Sequence, residues 1–144
     1  MKTTLVGHAS LLVEAGGVRD PWWKGPCFGG QWWLYPPPFL ETVHARPIDY
    51  IYLSHRHHDH FHPPTLRTFA KGTRVLVTKG LGLVQSLEEM GLDPTELADD
   101  GRHELAPGFT CHIMRTDGDD SLMVLSDGRE TGINVNDALH GTRG

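Results

Sequence analysis

Histidine is the residue type that stands out in this chain. The sequence has 144 residues and 10 histidines, and half of these lie between positions 55 and 62. His55, His57, Asp59 and His60 form the pattern H-x-H-x-D-H. The pattern comes directly after a short apolar run, residues 48–53, which predicts a buried strand. Because open α/β sheets place their sites at the carboxyl ends of strands, we expect this loop to bind metal.

The spacing within the loop favours two metal positions. Residues i and i+2 of an extended segment point to the same side, so His55 and His57 can bind one ion. Asp59 and His60 follow on a bend and can face a second ion beside the first. Imidazole with carboxylate suits zinc or ferrous iron, and no thiolate in the loop demands a softer metal. The alternative interpretation is a solvated histidine-rich loop that binds metal only incidentally.

One loop cannot supply all the ligands of two ions, so other residues are expected to contribute. Asp137 follows a predicted strand and is the candidate for a bridging carboxylate, with a turn or helix cap as its alternative role. Asp120 closes an acidic turn and is either an oxygen ligand or part of an ordinary polar turn. His8 lies in the turn between the first two predicted strands, either lining the site or on the surface.

A segment rich in aromatic residues and proline, residues 21–39, precedes the histidine loop. Neither helical nor strand periodicity persists there, which predicts a long structured loop. Its aromatic residues either wall a substrate pocket beside the metals or bury their rings to hold the loop on a sheet. The pocket candidates are Trp22, Trp23, Trp32, Trp33 and Tyr35.

The rest of the chain predicts strands with interspersed helices. Besides the strand before the histidine loop, seven strands are predicted, at residues 3–6, 9–14, 74–78, 103–105, 109–114, 121–125 and 131–135. Helices are predicted at 63–70 and 81–90, with a short helical turn at 93–98. This mixture indicates a layered domain of the α/β or α+β class.

Composition argues against several other classes of protein. The net charge is -5 and no basic stripe is present, so a nucleic-acid partner is not expected. No apolar run is long enough for a membrane-spanning helix, and His8 and Glu14 interrupt the N-terminal apolar stretch, unlike a signal peptide. Two cysteines, Cys27 and Cys111, form no disulfide framework, which favours a cytoplasmic location.

The histidine pattern and its flanking motifs resemble a known family. H-x-H-x-D-H after a buried strand is similar to the signature of the metallo-β-lactamase superfamily. G-H-A-S at positions 7–10, D-P-W at 20–22 and W-W-x-Y-P at 32–36 resemble one branch of it. That branch includes L-ascorbate-6-phosphate lactonase-like proteins, CMP-N-acetylneuraminate hydroxylase-like proteins and diiron β-hydroxylases of antibiotic assembly lines. The resemblance extends from about residue 5 to residue 137.

The resemblance implies a fold and a set of ligands. The fold would be an αββα sandwich of the α/β (α+β) class, with residues 1–144 as a single domain holding its first half and the start of its second. The first ion would bind His55 and His57, and the second would bind Asp59 and His60. Asp137 would bridge the two ions.

Three features depart from the family pattern. Only two residues separate the Gly-Gly turn from Asp20, where relatives have a full strand. The usual third ligand of the first site, a histidine, is missing, and Asp117, Asp119 or Asp120 would replace it. Asp120 and the serine that follows it match a D-[ST] sequence found in some members of the family. The last metal-binding histidine normally lies far beyond the end of this chain, and His140 is the remaining candidate.

These expectations define three functions. The first is a hydrolase with two divalent ions that acts on a small ester, lactone or phosphoester. In it, Asp59 or Asp137 would take a proton from the attacking water. Zinc is the expected metal, with iron or manganese as alternatives. The second is a diiron hydroxylase that activates oxygen. The third is an inactive, incomplete metal-binding chain that self-associates or needs a missing C-terminal half.

Overall fold

Two β-sheets form the framework of the computed structural model, which describes residues 1–14, 16–116 and 119–138. The first sheet has six strands in sequential order: Thr3–Gly7 (β1), Ser10–Val13 (β2), Gly17–Arg19 (β3), Tyr50–Leu53 (β4), Arg74–Thr78 (β5) and Asp93–Leu97 (β6). Strands β1 to β3 pair antiparallel, and β3 to β6 pair parallel. The second sheet is antiparallel and has the order β10-β9-β8-β7: Thr131–Asn134 (β10), Ser121–Ser126 (β9), Phe109–Arg115 (β8) and Arg102–Ala106 (β7).

The helices of the described residues are short. The α-helices are Glu41–His44 (α1), Pro63–Leu66 (α2) and Val84–Glu89 (α3), and 3-10 turns span Phe28–Gly30 and Asn136–Ala138. Proline opens α2 because the first helical position needs no backbone N–H. Within the described ranges, no helix is long and apolar enough to cross a membrane.

Apolar residues form two layers on opposite faces of the six-stranded sheet. Tyr52 packs with Ile113 and other residues between the two sheets. Ile51, the neighbour of Tyr52, faces the other way and packs with Leu66 of α2 and Leu87 of α3. Strand β4 is therefore buried on both faces, which explains its uninterrupted apolar sequence. The resulting helix–sheet–sheet order supplies three layers of the predicted αββα sandwich and confirms the α/β class.

The expected lack of a strand before Asp20 is wrong. Gly17–Arg19 forms β3, which pairs antiparallel with β2 and parallel with β4. Two glycines permit this arrangement: Gly16 has a φ of 85°, and a Cβ on Gly17 would lie 2.3 Å from the ring of Tyr50. The short strand thus places Asp20 beside the end of β4.

The predicted helical turn at residues 93–98 is also wrong, because Asp93–Leu97 forms β6. This strand lies at the edge of the first sheet and pairs only with β5. Pro94 has no backbone N–H to donate, which an edge strand tolerates because one of its two sides makes no hydrogen bonds to a neighbouring strand. Pairing with β5, whose central residues 75–77 are apolar and buried, outweighs the local turn signal of the Asp-Pro step.

The other predicted elements are present with modest boundary shifts. The predicted strand at 74–78 coincides with β5, and the predicted helices at 63–70 and 81–90 shorten to α2 and α3. Helix α1 was not predicted, and its Val43 packs against β1 and β2 through Val6 and Leu12. The predicted self-association of the chain stays a prediction.

Candidate metal centre

The histidine loop leaves the carboxyl end of β4 and turns back on itself. His55 and His57 come together as the i, i+2 spacing predicts, with 2.9 Å between His55 Nε2 and His57 Nδ1. The Oδ2 atom of Asp137 lies 3.8 Å from the same His55 nitrogen. We call His55, His57 and Asp137 the first ligand group; its ligand atoms all lie within 4.8 Å of one another.

A second ligand group lies beside the first and consists of His8, Asp59 and His60. Asp59 Oδ2 lies 2.9 Å from His8 Nε2 and 3.3 Å from His60 Nε2. Asp59 and His60 come from the histidine loop, whereas His8 reaches in from the turn between β1 and β2. The imidazole rings of His55 and His60 are 4.1 Å apart between centroids, so the two groups are adjacent.

Asp137, the carboxylate of the first ligand group, also faces the second group. Its Oδ2 atom is 3.8 Å from His55 Nε2 and 3.5 Å from His60 Nε2. The 3-10 turn Asn136–Ala138 brings the carboxylate there from the end of β10. About half of the side chain, 53%, is exposed, so one face of the centre is open to water. The distances are compatible with a bridging carboxylate, and that role of Asp137 stays a prediction.

The arrangement of these donor atoms fits divalent metal ions. His60 is fully buried, yet its Nε2 atom has no hydrogen-bond partner in the described part of the chain. A buried polar atom without a partner is costly, and a bound cation would supply one. Ligands bound at about 2.0–2.1 Å in a tetrahedron lie about 3.3 Å apart, close to the separations of the second ligand group. Neither group contains a cysteine, which favours zinc, iron or manganese over softer metals.

Asp20 supports His60 from the side away from the second ligand group. Its carboxylate is fully buried, 3.4 Å from His60 Nδ1, and accepts hydrogen bonds from the Ser54 backbone N–H and hydroxyl. Burial would raise the pKa of Asp20, but His60 and Arg19 outweigh this effect and keep the pKa below its usual value. A carboxylate behind a metal-binding imidazole fixes the orientation of the ring and strengthens it as a ligand.

Asp120 occupies the corresponding position behind His55. Its Oδ1 atom lies 3.2 Å from His55 Nδ1, the ring nitrogen that faces away from the first ligand group. Oδ1 also accepts the backbone N–H of Ser121, whereas Oδ2 is buried without a hydrogen-bond partner among the described residues. This geometry makes Asp120 an orienting residue for His55, while its predicted role as a direct ligand stays a prediction.

A hydroxyl network fixes β9 against the end of β4 and so positions Asp120. Ser121 Oγ donates to the Ser54 carbonyl at 2.7 Å and accepts from the hydroxyls of Tyr52 and Thr78 at 2.6 and 3.0 Å. These four residues are all fully buried. Because the two sheets meet through this network, the second sheet contributes directly to the geometry of the centre.

The electrostatics of the second ligand group favour positive charge. Burial on its own would lower the pKa of His60, but Asp20 and Asp59 outweigh it and raise the pKa of His60 to about 10. Burial would raise the pKa of Asp59, but His60 and His8 hold it well below its usual range. The carboxylates that stabilise a proton on this imidazole would equally stabilise a divalent cation in its place.

The aromatic segment forms a groove next to the centre. The groove has a volume of about 690 Å³, and its apolar lining includes Trp22, Trp32, Trp33 and Tyr35. Trp32, Trp33 and Tyr35 are 51%, 68% and 94% exposed, whereas Trp22 is buried and its ring meets that of His8 edge-on at 5.2 Å. His8 lines both this groove and a smaller cleft of about 360 Å³ that contains Asp137. Four of the five predicted aromatic pocket residues therefore lie together beside the second ligand group, whereas Trp23 does not line the groove and its ring packs against Phe69.

Several other candidate residues lie away from the ligand groups or outside the residues that the structure describes. Asp119 is exposed and pairs with Arg56 at 2.9 Å. Asp117 and His140 lie outside the described residues, so their predicted roles stay untested. His62 is buried and donates to the Pro26 carbonyl while Thr65 binds its other nitrogen, which ties the aromatic segment to α2.

Sequence reasoning missed two residues that hold the centre together, Asp20 as a functional carboxylate and Asn136. The Asn136 amide contacts Asp20 Oδ2 at 3.2 Å, His60 Nδ1 at 3.3 Å and the Ser54 hydroxyl. Its φ of 50° is a left-handed conformation that asparagine tolerates better than most residues. The sequence signal that could have identified Asn136 is the segment rich in polar residues that begins at Asn134, from which only Asp137 was predicted as a site residue.

Comparison with known proteins identifies the family. Residues 18–135 match the model of the beta-lactamase superfamily domain. Since the match covers most of the chain and the structure has the corresponding sheets and histidine loop, the chain belongs to the metallo-β-lactamase superfamily. The superfamily and fold predicted from the sequence are thereby confirmed.

Two curated relatives extend this result. A protein of Mycolicibacterium smegmatis (strain ATCC 700084 / mc(2)155), named provisionally as a Rieske 2Fe-2S iron-sulfur protein, is 32% identical over 154 aligned residues, covering 96% of this chain and 30% of that protein. The cytidine monophosphate-N-acetylneuraminic acid hydroxylase of Danio rerio is 39% identical over 72 residues, covering 47% of this chain and 12% of the relative. The chain thus spans about 30% of the length of the mycobacterial relative and less of the hydroxylase.

Two solved structures share the fold. CmlA, a diiron β-hydroxylase from Streptomyces venezuelae, has a TM-score of 0.70 at 21% identity, with 94% of this chain and 29% of that chain covered. An isothiocyanate hydrolase from Delia radicum gut bacteria also has a TM-score of 0.70, at 18% identity, with 92% and 60% covered. Proteins named as a hydrolase and as a hydroxylase therefore share this architecture.

Proposed function

We propose that the protein is a hydrolase with two divalent metal ions that acts on a small ester, lactone or phosphoester. The observation that carries this proposal is the pair of adjacent ligand groups, in which Asp137 of the first group faces both, 3.8 Å from His55 Nε2 and 3.5 Å from His60 Nε2. A pair of ions in such a site would act as Lewis acids and lower the pKa of water to near neutrality.

The residues of the chain would divide the remaining work. Asp20 and Asp120 hold the rings of His60 and His55 in place from behind. Asp137 is half exposed and faces both groups, so its Oδ2 atom is well placed to accept a proton from an attacking water. Asp59 is largely buried between two histidines, a position that suits a ligand better than an exchanging base.

The aromatic groove would hold the part of the substrate that does not react. Besides His8 and Gln31, the polar groups of its lining are the Tyr35 hydroxyl and the indole N–H groups of the tryptophans, and no Asp, Glu, Lys or Arg lines it. Apolar walls without a cation favour an uncharged aromatic or acyl group. Because the groove meets the centre at His8, such a group would place its ester or lactone carbonyl near Asp137. Within the three substrate types, the groove favours an ester or lactone over a phosphoester.

Replacing Trp33 with alanine is expected to raise the KM for an aromatic ester about tenfold with little change in kcat. The Trp33 side chain is 68% exposed along the groove, so its loss removes contact surface without disturbing the core. Losing contact with roughly 50 Å² of apolar surface costs about 1.3 kcal/mol, which corresponds to nearly tenfold in affinity. Steady-state kinetics with phenyl acetate and methyl acetate measure the effect, which should be confined to the phenyl ester.

Ile133→Ala is the matched control, because Ile133 is 64% exposed but does not line the groove. It should leave both esters unaffected. Equal losses for the phenyl and methyl esters in the Trp33→Ala protein would show that the groove does not select the substrate.

An oxygen-activating diiron hydroxylase is the second candidate function. It is supported by the similarity to CmlA and to the Danio rerio hydroxylase, and by a donor set that is compatible with iron. The buried carboxylate of Asp120 beside His55 adds to the carboxylate-rich character of the centre.

Metal reconstitution distinguishes these functions. Apoprotein is loaded anaerobically with zinc, iron or manganese, and bound metal per chain, ester hydrolysis and oxygen-dependent spectral change are measured. The hydrolase proposal expects two ions per chain and hydrolysis that a chelator abolishes. Oxygen consumption and spectral change with iron, without hydrolysis, would establish the hydroxylase. Failure to bind any ion would refute both.

A further inference from the structure

His8 is held in an unusual backbone conformation at the rim of the metal centre. Its φ is 45°, in the left-handed region that residues other than glycine rarely adopt. The pairing of β1 with β2 also shifts register between Leu5 and Gly7, directly before this residue. Strained backbone positions of this kind concentrate at functional sites. The effect here is to direct the imidazole across the turn toward Asp59.

The surroundings of His8 fix which ring nitrogen faces the centre. The Trp22 ring meets the imidazole edge-on at 5.2 Å, and the His60 ring lies 5.7 Å away at an interplanar angle of 60°. Nε2 is the atom that contacts Asp59 Oδ2, at 2.9 Å. Trp22 is buried and anchored by its indole N–H, which donates to the Gly25 carbonyl, so it provides a rigid support for the ring.

Two interpretations of this contact are available. His8 could simply donate a hydrogen bond to Asp59, in which case the fully buried His60 Nε2 would have only ion-pair contacts, at 3.3 Å with Asp59 and 3.5 Å with Asp137, and no hydrogen bond among the described residues. Alternatively, all three atoms could bind one cation, which would supply a direct bond to His60 Nε2 and use the Asp59 carboxylate, the group 3.3 Å away. Asp59 Oδ2 lies 2.9 Å from His8 Nε2 and 3.3 Å from His60 Nε2, and such separations suit ligands around one ion.

We propose that His8 is a ligand of the second metal ion through Nε2, together with Asp59 and His60. This inference rests on the two-ion centre proposed above and assigns a ligand from outside the histidine loop. The ion would then be anchored to the β1–β2 turn as well as to the loop after β4. Since His8 also lines the aromatic groove, a ligand in the groove would contact this ion's coordination shell directly.

Titration of apoprotein with Co²⁺ tests the proposal without requiring a substrate. The wild type should bind two ions and show the visible absorption of cobalt with nitrogen and oxygen ligands. His8→Ala should lower the affinity for one of the two Co²⁺ ions by at least about a hundredfold and change the absorption of that ion. A hundredfold is the upper end of the loss expected when a residue that only supports a ligand is removed. His57→Ala should lower the affinity for the other Co²⁺ ion and leave unchanged the absorption band that His8→Ala alters.

His44→Ala is the matched control, since His44 is an exposed histidine of α1 and belongs to neither ligand group. It should bind both ions as the wild type does. His8→Gln preserves side-chain bulk and provides a second variant if the alanine protein does not fold, as judged by circular dichroism.

The outcomes separate this inference from the function on which it rests. If His8→Ala and His8→Gln bind two Co²⁺ ions with unchanged affinity and spectrum, His8 is not a ligand, and the two-ion hydrolase proposal is unaffected. If the affinity falls but the absorption bands of both ions are retained, His8 only supports Asp59 and the inference is overturned. If the wild type itself binds fewer than two ions, the inference and the proposed function both fail.

Discussion

Replacing His57 with alanine is expected to remove one metal ion and to lower ester hydrolysis by about a thousandfold or more. His57 supplies the Nδ1 atom that lies 2.9 Å from His55 Nε2, and the first ligand group has only one other imidazole. An ion contributes several kcal/mol to stabilising the transition state, and about 4 kcal/mol corresponds to a thousandfold in rate. Metal content and kcat/KM for phenyl acetate measure the two effects on the same preparation.

The neighbouring histidine provides the control for this experiment. His58 is exposed and stacks on Phe28 with 5.3 Å between ring centroids, away from both ligand groups. His58→Ala should retain two ions and hydrolyse within about twofold of the wild type, because it contacts none of the ligand atoms. Wild-type turnover by His57→Ala, or an equal loss in His58→Ala, would remove the first ligand group from the mechanism.

Replacing Asp20 with alanine is expected to destabilise the fold by about 3–5 kcal/mol. Asp20 is fully buried and lies 3.4 Å from both Arg19 Nε and His60 Nδ1. Arg19 is itself buried over the Tyr52 ring, and its guanidinium nitrogens have no hydrogen-bond partner in the described ranges. Removal of Asp20 would therefore leave a buried cation without its counter-charge, and would strip two hydrogen bonds from Ser54. Urea denaturation of the metal-free protein measures the change.

An exposed aspartate serves as the comparison. Asp119 pairs with Arg56 at 2.9 Å, but both side chains are more than half exposed, so Asp119→Ala should change stability by less than about 1 kcal/mol. The Asp20→Ala protein should also bind metal ten- to a hundredfold less tightly, as expected for loss of a carboxylate behind a ligating imidazole. Equal stability of the two variants would show that Asp20 does not compensate the buried charge of Arg19.

The histidine loop was predictable because its information is local. Four candidate ligand residues fall within six positions, and the apolar run before them identifies a strand without knowledge of its partners. The i, i+2 geometry of His55 and His57 follows from the pleat of an extended chain, and the structure places their nitrogens 2.9 Å apart. The long loop at residues 21–39 was predicted for the same reason, because proline and glycine disrupt both periodicities over a short range.

Strand β3 and strand β6 show where local reasoning fails. Gly17–Arg19 has too few residues to be recognised as a strand, and it exists because β2 and β4 lie on either side of it. Asp93–Leu97 carries a turn signal at Asp-Pro, and it becomes a strand because β5 offers an unpaired edge. In both cases hydrogen bonds from a neighbouring strand outweigh the preferences of the segment itself.

The sequence alone determined the superfamily, the buried strand before the histidine loop and four of the candidate ligand residues, because these depend on composition and on spacings of a few positions. The tertiary structure decided how the centre is completed and supported. His8 reaches Asp59 across 51 positions, and Asn136 reaches Asp20 across 116. Such contacts depend on how strands pair and how the two sheets pack. No local pattern in a single sequence records that information, since it arises only when distant segments share one buried edge.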